Sequence, residues 1–215
     1  MNDLSFMRAH WEAVWQKLHT HAIPDNAFDE LTRVYSSPDR FYHNLAHIQD
    51  CLSVFDQAKS LAAHPGEVEL AIWFHDAVYD TRRNDNEQKS AGWAASVIHE
   101  AGLTNEIADR VTHSILATRH DTKVTDIDAQ VLVDVDLSIL GREADVFWLY
   151  EENIRKEYAW VPESQFRQKR AEILRSFLDR RHIYYHEKFR EMFEERARLN
   201  LKQAITRLVD APGDA

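Results

Sequence analysis

The sequence contains few of the residues that interrupt helices or cross-link loops. One cysteine, five glycines and five prolines occur among its 215 residues. Because a single cysteine cannot form an intramolecular disulfide, Cys51 is interpreted as a small core residue in a protein of a reducing compartment. Sparse glycine and proline leave few breaks in the chain, which favours long helices.

Basic side chains and long apolar runs are also scarce. The formal net charge is −10, with 26 lysine and arginine residues against 36 aspartate and glutamate residues. Binders of nucleic acids and membrane surfaces depend on clustered lysine and arginine, so this balance argues against both classes. No apolar run approaches the roughly 18 residues of a membrane span, and the first residues lack the pattern of a signal peptide. We therefore expect a cytoplasmic protein without nucleic-acid or membrane partners.

Apolar residues recur at spacings of three and four along most of the chain, as in amphipathic helices. No alternating strand pattern, internal repeat or linker interrupts them. A length of 215 residues fits one domain. The sequence therefore predicts an all-α, single-domain helical bundle over residues 1–215, with about eight to nine helices.

The stretch from Ala71 to Tyr79 contains an adjacent histidine and aspartate, His75 and Asp76, in otherwise apolar surroundings. We predict a helix over about 67–80 that is buried on every side. A buried, ionised aspartate is costly unless it is paired or ligates a metal. The alternative is an ordinary core pair, in which each side chain bonds to the backbone or to a neighbour.

Two further predicted helices each place a ligand-type residue on a buried face. His47 falls within the apolar arc of a helix over about 41–63. On a helix over about 128–140, Asp134 and Asp136 point about 200° apart, and only Asp136 has apolar neighbours at both three and four residues. Asp136 is therefore predicted to be the buried aspartate of the two.

His47, His75, Asp76 and Asp136 together offer two imidazoles and two carboxylates to a metal ion. The nitrogen and oxygen atoms of this set are chemically harder ligands than the thiolates of the cysteine-rich sets that bind structural zinc. The set also contains more oxygen than a three-histidine site. We expect a divalent Mn, Fe, Ni, Co or Mg ion in preference to zinc. Such an ion lowers the pKa of bound water and polarises a phosphoryl oxygen, as phosphoester hydrolysis requires.

The order of these four residues resembles the His, His-Asp, Asp signature of the HD superfamily of metal-dependent phosphohydrolases. Other segments are similar to an uncharacterised bacterial branch of it: Phe41–Ile48, Trp73–Asp80, Asn86-Glu87, Ser90-Ala91, Asp134–Gly141, Ile154–Tyr158 and Ala197–Leu201. The resemblance implies an HD-type helical fold and hydrolysis of a small phosphoester, such as a nucleotide, by attack of a metal-bound water. The sequence lacks the Gly-Tyr-Pro motif of the cyclic-dinucleotide branch and the Asp-Arg form of alarmone hydrolases, so those substrates are not carried over.

The remaining candidates for catalysis or binding each have a structural alternative. Asp76, Asp80 and Glu87 are the catalytic candidates, although Asp80 is also placed to end a helix and Glu87 to pair with a helix dipole. Asn44, which we predict to be buried on the face of His47, is assigned to substrate binding, and the alternative is a structural bond to the backbone.

Two histidines and two arginines are candidates outside the predicted ligand set. His113 and His120 face either the site or solvent, and we assign both to substrate binding. Arg155, with Tyr158 one turn on, is assigned to the substrate phosphate. Arg170 is instead predicted to point inward and to pair with a structural carboxylate.

Two other functions fit the same sequence. One is a non-catalytic module that uses the metal site structurally or to hold a nucleotide as a sensor. The other is a helical interaction protein whose acidic surface docks partners. Metal content and turnover of phosphoesters distinguish these functions from the predicted hydrolase.

Overall fold

A computed structural model describes residues 4–20, 23–120 and 122–210. All regular structure in these ranges is helical, and no strand occurs in them, so the predicted all-α class is confirmed. Within the same ranges the helices slightly outnumber the eight to nine that we predicted. The chain divides into two compact units, Met1–Asp136 and Leu137–Ala215. The single domain over 1–215 stays a prediction.

None of the helices in the described ranges combines the length and the apolar character needed to cross a bilayer.

The helices of the first unit are α1 (Leu4–Lys17), α2 (Asp25–Tyr35), α3 (Leu45–Ala58), α4 (Pro65–Phe74), α5 (Asn86–Glu100), α6 (Asn105–Ala117) and α7 (Ile127–Asp136). Helix α4 lies at the centre, because α1, α3, α5, α6 and α7 all pack against it.

Helix α4 is buried on every side, as its apolar sequence predicts. Every residue from Glu67 to Phe74 is buried. Trp73 packs edge-on against Trp11 of α1, with ring centroids 5.4 Å apart. Burial of one such side chain contributes about 1.5 to 3 kcal/mol.

The two glutamates of α4 are compensated by cations. Glu67 accepts two 2.7 Å hydrogen bonds from Arg110 of α6. Glu69, which is 1% exposed, contacts Lys17 and lies 2.9 Å from a ring nitrogen of His10, both on α1. These pairs attach α6 and α1 to the central helix.

Helix α4 ends at Phe74, so the helix that we predicted over 67–80 is too long and His75 and Asp76 follow the helix instead of lying inside it. The reason is a contact from a distant residue. The guanidinium of Arg40 donates to the carbonyls of Asp76 at 2.7 Å and of Ala77 at 2.8 Å. These carbonyls are satisfied without continuing the helix.

The other predicted helices of the site are also shortened. Helix α3 covers Leu45–Ala58 instead of about 41–63. Helix α7 ends at Asp136, and a 3₁₀ turn, Leu137–Gly141, follows it. The metal-ligand candidates His75, Asp76 and Asp136 therefore lie at or beyond helix ends.

The second unit contains α8 (Ala144–Glu157), α9 (Glu163–Leu178), α10 (Glu187–Phe189), a π-helical turn (Arg190–Glu194) and α11 (Glu195–Asp210). The 3₁₀ turn is fastened to α11 by Asn200, whose amide donates to the carbonyls of Leu140 and Arg142, both at 2.9 Å. Gly141 approaches Phe193 so closely that an added Cβ would lie 2.5 Å from the Phe193 Cβ. Only glycine fits at this position.

Arg170 of α9 points inward and has the carboxylate partner that the sequence predicts. Its guanidinium contacts Glu151 of α8 and donates to the Tyr150 hydroxyl at 2.6 Å. Burial by itself lowers the pKa of Arg170, but Tyr150 and Glu151 outweigh it and raise the pKa above its usual value. The pair joins α8 to α9.

Candidate metal centre

Two histidines from different elements face each other at the proposed site. His47 lies in the first turn of α3, and His75 directly follows α4. Their Nε2 atoms are 3.2 Å apart, and the two residues are 6% and 2% exposed. The buried ends of α3 and α4 thus bring two imidazole nitrogens to one point.

The hydrogen bond of His75 fixes which of its nitrogens faces the cluster. Its Nδ1 lies 2.8 Å from the carbonyl oxygen of Ile72. Because a carbonyl only accepts, Nδ1 carries the proton and, in the neutral ring, Nε2 has a free lone pair. Metal-ligating histidines are commonly oriented by such a bond.

Two carboxylates flank the facing imidazoles. Asp76 Oδ2 lies 3.1 Å from His75 Nε2 and 3.5 Å from His47 Nε2. Asp136 Oδ1 lies 3.5 Å from His47 Nε2 and 3.6 Å from His75 Nε2. The side chains of Asp76 and Asp136 are 19% and 18% exposed, so the cluster opens to solvent on its carboxylate side.

Charge within the cluster shifts the pKa of each of the four groups. Burial lowers the pKa of His47 and His75, but contacts with neighbours that include Asp76 and Asp136 outweigh it and raise both pKa values well above the usual range. Burial raises the pKa of Asp76 and Asp136, but their contacts with histidines outweigh it and hold both pKa values well below the usual range. The cluster therefore stabilises positive charge next to its carboxylates.

The spacing of these atoms fits a single divalent ion. Cis ligands about 2.1 Å from an octahedral ion are separated by about 3.0 Å, and tetrahedral ligands by slightly more. The distances from Asp76 Oδ2 and Asp136 Oδ1 to the two imidazole Nε2 atoms range from 3.1 to 3.6 Å. His47, His75 and Asp136 each offer a ligand atom within 4.8 Å of the others, and Asp76 contacts both imidazoles. His47, His75 and Asp136 thus fit a metal ion with two nitrogen ligands and one oxygen ligand, and Asp76 lies beside them as the fourth ligand candidate.

Our reason for separating Asp136 from Asp134 was wrong. Asp134 is 0% exposed and is the more deeply buried of the two. Asp136 is the last residue of α7 and is partly exposed, but it is the one that contacts the histidines. Both helix faces are covered at this point, so apolar neighbours do not distinguish a ligand from a structural aspartate.

Arg40 and His43 lie next to the site and were missed by the sequence reasoning. Arg40 donates to the His43 carbonyl at 3.1 Å as well as to the carbonyls of Asp76 and Ala77, and so ties together the segments that precede α3 and follow α4. The His43 ring stacks on Tyr79 with centroids 4.1 Å apart, and its charge helps to lower the pKa of Asp76. The position of His43 four residues before His47 was the available sequence signal that it lies near the site. No sequence signal indicated Arg40.

Asn44 has a structural position different from the one that we predicted. It is the N-cap of α3 and is half-buried, not a buried residue on the helix face. Its Oδ1 accepts from the backbone N–H groups of Ala46 at 2.9 Å and His47 at 3.4 Å. Asn44 therefore fixes the helix turn that carries His47.

The predicted acid or base residues lie on the loop and helix after the cluster. Asp80 is exposed, and its Oδ1 accepts from the backbone N–H of Arg82 at 2.9 Å. Glu87 is half-buried in the first turn of α5. Their catalytic roles stay predictions.

The structure separates the two predicted histidines. His113 is on the exposed side of α6, which agrees with the solvent-facing alternative. His120 lies beyond the end of α6, and its Nε2 is 3.1 Å from Asp136 Oδ2. Of these two histidines, His120 is the one for which the described residues show a contact with a ligand candidate.

Arg155 and Tyr158 belong to the second unit. The Arg155 guanidinium donates to Glu163 at 2.8 Å and to the backbone carbonyls of Tyr158 and Val161 at 2.7 and 3.2 Å. These contacts close the turn between α8 and α9. The assignment of Arg155 and Tyr158 to substrate binding stays a prediction.

Neither a family model, nor a curated protein, nor a solved structure matches the chain. The fold and the site define an all-α protein with a mixed imidazole and carboxylate cluster.

Proposed function

We propose that this protein is a metal-dependent phosphohydrolase that cleaves a small phosphoester, such as a nucleotide. The supporting observation is the cluster in which the Nε2 atoms of His47 and His75 face each other at 3.2 Å beside Asp76 and Asp136. The order of these residues, which resembles the HD signature, favours the same function.

The four side chains would hold one divalent ion, with Mn, Fe, Ni, Co or Mg preferred for this donor set. When bound, such an ion lowers the pKa of a coordinated water and polarises a phosphoryl oxygen. His47 and His75 close the inner side of the site, because both are almost fully buried. Asp76 and Asp136 border its open side, where a substrate can approach.

Proton transfer at the open side is assigned to Asp80 or Glu87, since both follow Asp76 closely in the chain. Glu87 is half-buried and Asp80 is exposed. A carboxylate within reach of a water molecule can accept its proton, which is the role of a general base. Replacing the residue that has this role by its amide, as in Glu87→Gln or Asp80→Asn, should therefore lower kcat without removing the ion.

The test combines metal analysis with a substrate panel. Protein purified without chelators should contain a divalent ion and should release phosphate or a nucleotide product from a phosphoester panel supplied with Mn²⁺, Co²⁺, Ni²⁺ or Mg²⁺. His75→Ala should lose both properties, because it removes a buried nitrogen ligand. Asp109→Asn, an exposed change on α6, is the matched control and should keep both.

Two outcomes would contradict the proposal. Metal-loaded protein that turns over no member of the panel is not a phosphohydrolase of this kind. If a nucleotide raises the melting temperature of such an inert protein, the function is that of a metal-containing nucleotide-binding or sensor module.

A further inference from the structure

The two oxygens of Asp136 have different partners. Oδ1 faces the Nε2 atoms of His47 and His75 at 3.5 and 3.6 Å. Oδ2 lies 3.1 Å from Nε2 of His120. Because an ionised carboxylate only accepts, the N–H of His120 donates to Oδ2. The carboxylate is therefore held on its outer side by a residue outside the ligand set.

His120 comes from an element that supplies none of the four ligand candidates. It follows α6, and its backbone N–H donates to the Ala117 carbonyl at 3.3 Å in the turn that ends this helix. The contact of His120 with Asp136 Oδ2 places this turn beside the end of α7 that carries Asp136. His120 thus fastens a fourth chain segment to the cluster.

The backbone of His120 has an unfavourable conformation for its residue type. Its φ is +58°, in the left-handed region where glycine is favoured. Among the described non-glycine residues, only His19 shares a positive φ, at +57°, and His19 is an exposed residue after α1. The two positions therefore allow the backbone effect of a substitution to be separated from the effect of the imidazole.

A hydrogen bond to the outer oxygen restricts the rotation of a ligating carboxylate. Without this hydrogen bond, Asp136 would lose more conformational entropy when Oδ1 is held in one orientation. The contact is partly shielded, because the side chains of His120 and Asp136 are 17% and 18% exposed. Partners of this kind commonly change metal affinity by about 10- to 100-fold.

We infer that His120 is a positioning residue, one that orients Asp136 and thereby sets the affinity of the site for its ion. The inference rests on the proposed function only in requiring that the cluster binds a divalent ion. It replaces the assignment of His120 to substrate binding with a role that acts through Asp136.

The test measures the dissociation constant of Mn²⁺ by competition with a chelator, on the full-length protein. His120→Gly removes the imidazole, but glycine suits the positive φ. The metal-free variant should therefore fold, and its melting temperature should be no lower than that of the metal-free wild type. We expect its affinity for Mn²⁺ to fall about 10- to 100-fold. His120→Gln, which retains an N–H donor, should recover most of this loss.

His19→Gly is the matched control, because it makes the same backbone change at the other positive-φ histidine and should leave the affinity unchanged. Wild-type affinity in His120→Gly would overturn the inference, as would an equal loss in His19→Gly. Two ions per chain in the wild type and one in His120→Gly would also overturn it, since His120 would then be a ligand itself. Wild-type protein that binds no Mn²⁺ contradicts both proposals, whereas binding without turnover of phosphoesters contradicts the proposed function alone.

Discussion

Asp134 and Asp136 are two residues apart near the end of α7, and their surroundings give them different roles. Asp134 is fully buried in the first unit. Asp136 is partly exposed and contacts three histidines, His47, His75 and His120. A fully buried carboxylate affects mainly the stability of the fold, whereas a carboxylate at the solvent-facing side of a cluster is available to an ion.

Asp136→Ala should lose the bound metal and keep the helical fold. Asp134→Ala should keep the metal but lower the free energy of unfolding by on the order of 1 to 3 kcal/mol, because it removes a buried polar group from its partners. Metal analysis after gel filtration and urea denaturation measure the two effects. Asp109→Ala, at an exposed position on α6, should change neither.

The reverse pattern, with the metal lost in Asp134→Ala and kept in Asp136→Ala, would show that the ligand assignment is wrong.

At the scale of elements, the start of α3 and the end of α4 decide the geometry of the site. Asn44 caps α3 three residues before His47, and Arg40 binds the carbonyls just beyond α4. If α4 continued through Asp80, as its sequence suggests, helical spacing would separate His75 and Asp76 by about 100°. Ending the helix at Phe74 allows both residues to reach His47.

Asn44→Ala should destabilise the protein by about 1 kcal/mol, because two N–H groups at the start of α3 lose their acceptor. The bound metal should remain, since Asn44 does not belong to the ligand set. Asn44→Ser, which keeps an oxygen acceptor, should restore most of the stability. Thermal and chemical denaturation with metal analysis test this prediction.

If Asn44→Ala lost metal without any change in stability, Asn44 would support the site directly and not through the helix cap.

At the scale of the whole molecule, the ligand candidates connect three segments of the first unit. His47 is on α3, His75 and Asp76 follow α4, and Asp136 ends α7. Helix α4 is also the element against which α1, α3, α5, α6 and α7 pack. A bound ion would therefore strengthen the centre of the first unit.

Removing the ion with a chelator should lower the melting temperature, and adding it back should restore the original value. An ion at about 100 times its dissociation constant stabilises the native state by roughly 2.7 kcal/mol if the unfolded chain does not bind it. Hydrogen exchange should show the loss of protection in α3, α4 and α7. The His75→Ala variant should show no response to metal, and an equal response in that variant would place the stabilising ion elsewhere.

The sequence by itself determined the helical class, most helix positions and the residue types of the cluster. The helical class agrees with the structure, because the apolar spacing that predicts it is a local property of the chain. The apolar residues around His75 and Asp76 likewise predicted that the helix before them is buried on every side. His47, His75 and Asp136 were selected as ligand candidates from such patterns and the HD resemblance, and they do come together in the structure.

Only the tertiary structure decided where the helices near the site end, which aspartate meets the histidines, and what holds it. The carbonyl of Asp76 is bound by Arg40, 36 residues away, and Asp136 is bound by His120, 16 residues away. Helical periodicity shows which residues share a face, but it does not show which distant donor will satisfy a carbonyl or a carboxylate. Asp134 is buried for the same reason, since packing of neighbouring elements covers a polar face that local sequence predicts to be exposed.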